Sequence, residues 1–277
     1  MNQNHNLSPL PRRLMGIVTI FFGLMGLVLF VAPAWSTANF PWKISPLVAM
    51  TMGGWYLGTA VMAGLVFYYY RWDVIYASML YVGVFSVTEA AVLVIHSAKF
   101  KLDALLAWPY IGMLGFAILT SLLVLLDWLR QKPALTGEGK PVPAWVRVIT
   151  VTFIFIVFFL SGVAFSGHWV GLNGGIFPEP LSLFTLRSFG AFYFSLAFSV
   201  LAFLRLPRSA AVTVHVWGGL ALIFFITTAA LIYLPTFNFT AHPFQSIYLG
   251  VYLLAFILCL VYLWKERARR SDSYTTV

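Results

Sequence analysis

The chain has 277 residues and a formal net charge of +9; 61% of its residues are hydrophobic and only 9% are charged, and its mean hydropathy is +0.90. A soluble domain carries about 25% charged residues, so this composition excludes a water-soluble fold. The single cysteine, Cys259, excludes an internal disulfide, a cysteine-rich zinc site and an iron–sulfur cluster.

Apolar runs of about 20 residues match the thickness of a bilayer core, where only helices and closed barrels satisfy the backbone. Unbroken runs of that length, rather than short alternations, select helices. The fold class is therefore an all-α integral membrane protein. In chain order, a polar stretch at Met1–Pro11 reads as disordered, and Arg12-Arg13 precedes the first apolar run, Leu14–Val31. That run, followed by Ala32-Pro33-Ala34, has the outline of a signal peptide but exceeds the usual apolar core of about 7–15 residues, so it reads as an uncleaved first span. Seven further spans are expected near 46–70, 74–96, 105–129, 144–166, 183–204, 211–234 and 245–264. Between the fourth and fifth lies Arg130–Val146, rich in Gly, Pro and charge, which reads as a linker. The division is a first four-helix repeat at 1–130, a cytoplasmic linker at 131–143, and a second four-helix repeat with a basic tail at 144–277.

Lysine and arginine placement sets the orientation. With the N-terminus in the cytoplasm, that side receives Arg12, Arg13, Arg71, Arg130, Lys132, Lys140, Arg147, Arg205, Arg208, Lys265, Arg267, Arg269 and Arg270. Lys43, Lys99 and Lys101 fall outside, the last two against the rule, and Arg187 lies within a span. The reading is a multi-pass cell-membrane protein with both termini cytoplasmic. The bilayer is its partner, other membrane subunits are candidates, and nucleic acid is excluded because the basic residues flank apolar runs. Eight of the ten tryptophans, Trp42, Trp72 and Asp127's neighbour Trp128 among them, fall near span ends as an interfacial belt, and Asp127 is expected to reach water. Trp55 and Trp217 lie away from the ends and face either protein or lipid.

One stretch occurs twice. Phe40-Pro41-Trp42-Lys43-Ile44-Ser45-Pro46 leads into one span, and Phe177-Pro178-Glu179-Pro180-Leu181-Ser182 leads into another 137 residues later (177 minus 40). Gly53, Tyr56 and Ala60 fall on Gly190, Tyr193 and Ala197 at the same offset, and the small pair Gly54 and Gly58 falls on Ala191 and Ser195. Four spans per copy make the repeats parallel, related by an axis along the membrane normal. Small residues four apart point to a close helix seam, with a ligand groove lined by that face as the alternative. The duplicated stretch, with Arg187-Ser188-Phe189-Gly190-Ala191, resembles a poorly characterised bacterial polytopic membrane protein family with a repeated W-P-W-x-L-T-P-L-T-A-R-x-x-G-A-W-like motif. The four-span unit is similar to DoxX-like four-helix membrane proteins. The first copy departs from the motif, with Met50 where the second has Arg187. The resemblance implies architecture and no reaction.

Ionisable groups inside spans are costly and so are candidate functional residues. Glu89 and Arg187 lie at similar depth near the outer ends of their spans, have opposite charge and have apolar counterparts, Ile226 and Met50, in the other copy; they are expected to form an ion pair between the repeats. His96, His168, His242 and Glu179 form a candidate outer-face polar cluster, without the spacing of a metal or haem site. His215, near the cytoplasmic end, reads as a hydrogen-bonded packing residue. The cluster Gly171-Leu172-Asn173-Gly174-Gly175 reads as a turn. No phosphate-binding loop, nucleophile elbow or Cys-x-x-Cys occurs, and no cofactor, metal ligand set or catalytic residue is assigned. Three function classes follow: a noncatalytic structural or accessory membrane subunit, which the scarcity of polar groups favours; a small-molecule or ion transporter with its site between the repeats; and, with least support, a membrane-embedded redox or lipid-modifying enzyme.

Overall fold

The computed structural model describes residues 6–133, 135, 139–167, 176–206 and 208–271. Among them lie nine α-helices: α1 (Pro9–Val31), α2 (Pro33–Asn39), α3 (Pro46–Tyr69), α4 (Trp72–Ile95), α5 (Ala107–Gln131), α6 (Ala144–Ser166), α7 (Leu183–Val200), α8 (Ser209–Ile232) and α9 (Gln245–Ser271). All but the short α2 are long and apolar enough to cross a membrane, with α7 extended by a 3₁₀ turn to Leu204. Spans of 22–25 residues reach about 33–38 Å at about 1.5 Å per residue, enough for a hydrocarbon core of about 30 Å. The chain is a polytopic membrane protein. Its spans alternate in direction, so one end of the bundle gathers His96 and Ser182, and the other gathers Arg71 and Arg208.

The helix starts follow from local chemistry. The Ser45 hydroxyl oxygen accepts from the Val48 N–H at 3.1 Å and Pro46 opens the first turn of α3. The Ser182 hydroxyl oxygen accepts from the Thr185 N–H at 3.1 Å to start α7. Both caps satisfy an amide that the helix itself leaves unpaired.

The packing order inverts what hydropathy ranks. The two least apolar spans, α3 and α7, are the most buried, with 72% of their core windows inside the protein; the strongly apolar α9 has 17% inside. Lipid accepts only apolar side chains, whereas a helix enclosed by others can carry Thr, Ser, Tyr and Gly at its contacts. α3 packs on α1 and on α8; α7 packs on α6 and on α4; α4 and α8 meet each other; α5 lies on α1 and α4, and α9 on α8. Glycine makes two of these approaches close. A Cβ on Gly53 would stand 2.6 Å from the Phe30 N, and one on Gly58 would stand 2.4 Å from the Leu222 Cβ and 2.5 Å from its Cα. The Gly54–Gly58 face is therefore a seam against α8.

Several expectations need correction. From Asn6 onward the N-terminal stretch is ordered: Asn6 bridges Arg71, the Leu7 N–H donates to the Tyr70 carbonyl at 2.7 Å, and α1 starts at Pro9. Asp127 is buried, because the Ser8 amide and hydroxyl donate to it at 2.9 and 2.5 Å and the Gln131 amide adds a bond at 3.0 Å. Trp42 and Trp72 sit near span ends yet are buried in protein contacts rather than in a lipid belt. Trp55 is fully buried and Trp217 is exposed.

Candidate functional site

At the His96 end, residues 40–46 and residues 177–185 reach across to each other. Trp42 stacks on Phe184 with centroids 4.0 Å apart and planes 12° apart, and its Nε1–H donates to the Thr185 hydroxyl at 3.2 Å. In the same direction, the Ser45 hydroxyl donates to the half-buried Glu179 carboxylate. Burial pushes the Glu179 carboxyl above its ordinary range, and the Ser45 hydrogen bond holds part of that rise back. Beside this junction is a crevice of about 840 Å³, lined by Lys43, Lys99, Lys101 and Asp103 and by Phe40, Trp42 and Phe184.

Next to these rings lies a buried polar cluster. Tyr110 on α5 packs against Phe40 and Trp42, at 5.8 and 5.3 Å, and donates its hydroxyl to Glu89 Oε1 at 2.6 Å. Glu89, on α4, has no exposed surface, and its Oε2 has no hydrogen-bond partner. Ser188 on α7 lies beside the same carboxyl. The Tyr56 hydroxyl of α3 is buried next to the Tyr110 hydroxyl. Four helices thus bring one carboxyl and three hydroxyls together inside the bundle.

The expected ion pair is not formed. The Arg187 Nε–H donates to the Phe165 carbonyl at 3.3 Å, and its Nη1–H donates to His96 Nε2 at 3.2 Å. The reason is azimuth. Consecutive residues of a helix point about 100° apart; Ser188 takes the direction toward Glu89, so Arg187 turns to the C-terminal ends of α6 and α4. Since Arg187 can only donate, His96 Nε2 accepts, which puts the imidazole proton on Nδ1. The ring stacks on Phe184 at 5.0 Å. Burial, then the Arg187 and Lys99 charges, hold the His96 pKa below its ordinary 6.5.

The outer-face cluster is not assembled either. His96 goes to Arg187, Glu179 goes to Ser45, and His242 is exposed with its backbone N–H on the Asn238 carbonyl. His168 and the Gly171–Gly175 turn lie outside the described residues. Among the described residues no group of three or more His, Cys, Asp or Glu could hold a metal ion. At the other end His215 is buried between the Ser78 and Ser199 hydroxyls, at 3.1 and 3.4 Å.

A second feature had no sequence signal. α5 packs on α1, but α6 and α9 meet near Trp145, which lies 6.2 Å from the Tyr262 ring with Lys265 over it, and diverge from there. Between them opens a cleft of about 200 Å³, lined by Phe153, Val157, Leu160, Val251, Ala255 and Cys259 among others and almost wholly apolar. It runs from Trp145 at one end of the bundle to Phe177 and Tyr248 at the other.

Comparison of the chain with protein-family models, with characterised proteins and with solved structures finds no match.

Proposed function

We propose that this chain is a noncatalytic accessory subunit of a bacterial plasma membrane, built from two parallel four-helix halves with both termini in the cytoplasm. Four observations support the two halves. At an offset of 137, α4 (Trp72–Ile95) falls end for end on α8 (Ser209–Ile232), and α3 and α7 start at equivalent residues, Pro46 and Leu183. Ser45 and Ser182 cap at equivalent positions. The packing of α3 on α1 and α8 is matched by that of α7 on α6 and α4. Ser78 and His215 are 137 residues apart and hydrogen-bonded to each other, as counterparts on a pseudo-twofold axis would be. The resemblance to the bacterial family with the repeated W-P-W-like motif agrees with this arrangement.

The observation that carries the accessory role is the open cleft. The first half closes on itself through α1 and α5; the second leaves the space between α6 and α9 unfilled by its own side chains. In lipid, helices associate through close packing rather than hydrophobic expulsion, so an apolar cleft along a whole span is a contact surface for another membrane component. We place a partner subunit's transmembrane segment over it. A photo-crosslinking residue at Phe153 or Val251, in the cleft, tests this in intact cells, with the lipid-exposed Leu119 as control. A discrete protein adduct from the cleft positions and none from Leu119 is expected. Lipid adducts alone, equal at all three sites, refute the role.

A second reading, transport of a small molecule or ion between the halves, is favoured by one observation, the buried Glu89 carboxyl with an unpartnered oxygen at the α4–α7 contact. Against it stands the seam at Gly54 and Gly58, where the α3 backbone touches α8 with no room between.

A further inference from the structure

We infer that the crevice at the His96 end, between the loop that follows α2 and the loop that joins α4 to α5, is a binding site for the phosphate headgroup of an anionic lipid. The inference goes beyond the accessory role and does not depend on it. Only the leaflet follows from the proposed orientation, which puts the crevice on the outer face.

The two loops are fixed to each other. The Lys101 N–H donates to the Pro41 carbonyl at 2.8 Å and the Leu106 N–H donates to the Asn39 carbonyl at 3.1 Å, so the walls are set before any ligand arrives. Lys43, Lys99 and Lys101 line the crevice with a single acidic residue, Asp103. The Glu179 carboxyl is held by Ser45 and is not part of the lining. Among the described residues none of the three ammonium groups has a hydrogen bond or an ion pair, Asp103 included. Three positive charges against one negative leave an excess of positive charge that the protein itself does not neutralise. Lysine ammoniums are point-charge binders of phosphate. On the proposed orientation Lys99 and Lys101 also run against the bias that keeps basic residues inside, and an anionic ligand gives them a reason to stand there.

The surroundings select a lipid over a soluble anion. Leu105 lines the crevice and is itself exposed, as are Leu102 and Trp108 three residues to either side. Between the end of α4 at Ile95 and the start of α5 at Ala107 these side chains lie at the end of two spans, where lipid headgroups give way to acyl chains. A lipid phosphate among the lysines, with its chains along Leu105 and Trp108, satisfies both surfaces. The volume of about 840 Å³ falls in the range that holds a whole polar headgroup.

The test uses the full chain, delipidated in neutral detergent, with phosphatidylglycerol or phosphatidylcholine added and the first bound lipid titrated by native mass spectrometry. Phosphatidylglycerol should bind more tightly than phosphatidylcholine, whose choline the lysines repel. Lys99→Gln with Lys101→Gln should raise the Kd for phosphatidylglycerol about thirtyfold, at about fivefold per lysine. Lys265→Gln with Arg267→Gln, in the basic tail at the other end of the bundle, should leave it unchanged. Asp103→Asn removes the one opposing charge and should tighten binding, a change that a damaged fold does not mimic. If the lysine variant does not fold, Asp103→Asn decides on its own, and an unchanged Kd there overturns the proposal. So does equal affinity for phosphatidylglycerol in wild type and the Lys99 and Lys101 variant, or equal affinity for the two lipids. Glycerol 3-phosphate should displace the lipid only at a large excess; displacement at equal concentration would assign the crevice to a soluble phosphate and overturn the lipid.

Discussion

Gly58→Ala puts a single methyl group at the tightest approach of α3 to α8. Its Cβ would stand 2.4 Å from the Leu222 Cβ and 2.5 Å from the Leu222 Cα, where carbon atoms normally rest about 3.5–4.0 Å apart. Turning the Leu222 side chain cannot relieve the contact, since the Cα belongs to the backbone. α8 must retreat by about 1 Å, loosening the seam that also holds Gly54 against Phe225 and Ile226. Overpacking of this kind costs about 1–3 kcal/mol, and contact with backbone puts it near the upper end. Alanine returns up to about 1 kcal/mol through its better helix propensity. The net loss of about 2 kcal/mol corresponds to a fall in Tm of about 4–8 °C for a chain of this size. Two other glycines provide the comparison. A Cβ on Gly64 meets nothing closer than the Thr19 Cγ2 at 3.5 Å, and one on Gly219, three residues from Leu222 on α8, meets nothing within 4 Å. Gly64→Ala and Gly219→Ala should be neutral or stabilising in the same detergent assay. If Gly58→Ala unfolds at the same temperature as Gly219→Ala, the two helices are not in contact there and the packing argument fails.

In a Cys259→Ser background, single cysteines at Lys101, Glu179 and His242 should react with an impermeant maleimide on intact cells, and cysteines at Arg71, Gly139 and Arg208 should not; labelling at Gly139 from outside would overturn the parallel halves. A double-mutant cycle on Glu89→Gln and Arg187→Met should be additive within about 0.5 kcal/mol, because the two side chains have different partners, whereas Glu89→Gln with Tyr110→Phe should show coupling of about 0.5–3 kcal/mol through their shared hydrogen bond. The opposite ranking would restore the ion pair. His96 has a folded pKa below 6.5, so as pH falls past 6.5 the unfolded chain takes up a proton that the native protein does not, and stability declines. Tm should therefore fall below about pH 6.5 and less so in His96→Gln. Glu179, raised above its ordinary range, works in the opposite direction at lower pH, gaining stability toward 4.5. An identical acid limb in both proteins would remove His96 as the cause.

Although α1 begins five residues earlier and α9 ends seven residues later than the apolar runs suggested, the number of spans, the limits of the six inner ones to within about two residues and the helix starts at Ser45 and Ser182 were legible in the sequence. These depend on local quantities: the length of an apolar run against the bilayer, and a serine hydroxyl in reach of an amide three residues on. The value of Gly54 and Gly58 as a close-packing face was legible too, since only small residues allow backbones to touch. Which helix fills that face was not, because Leu222 lies 164 positions away (222 minus 58) and nothing local selects it. Depth along the membrane normal could be counted for Glu89 and Arg187, but direction around each helix could not. One residue of rotation gave Glu89 to Tyr110 and Ser188 and sent Arg187 to His96. The burial of Asp127 likewise required the N-terminal Ser8 to fold back over α5. The cleft between α6 and α9 is the clearest case. Both helices read as ordinary apolar spans, and only the tertiary arrangement decides whether two apolar faces meet each other, as on α1 and α5, or part and leave room for something else.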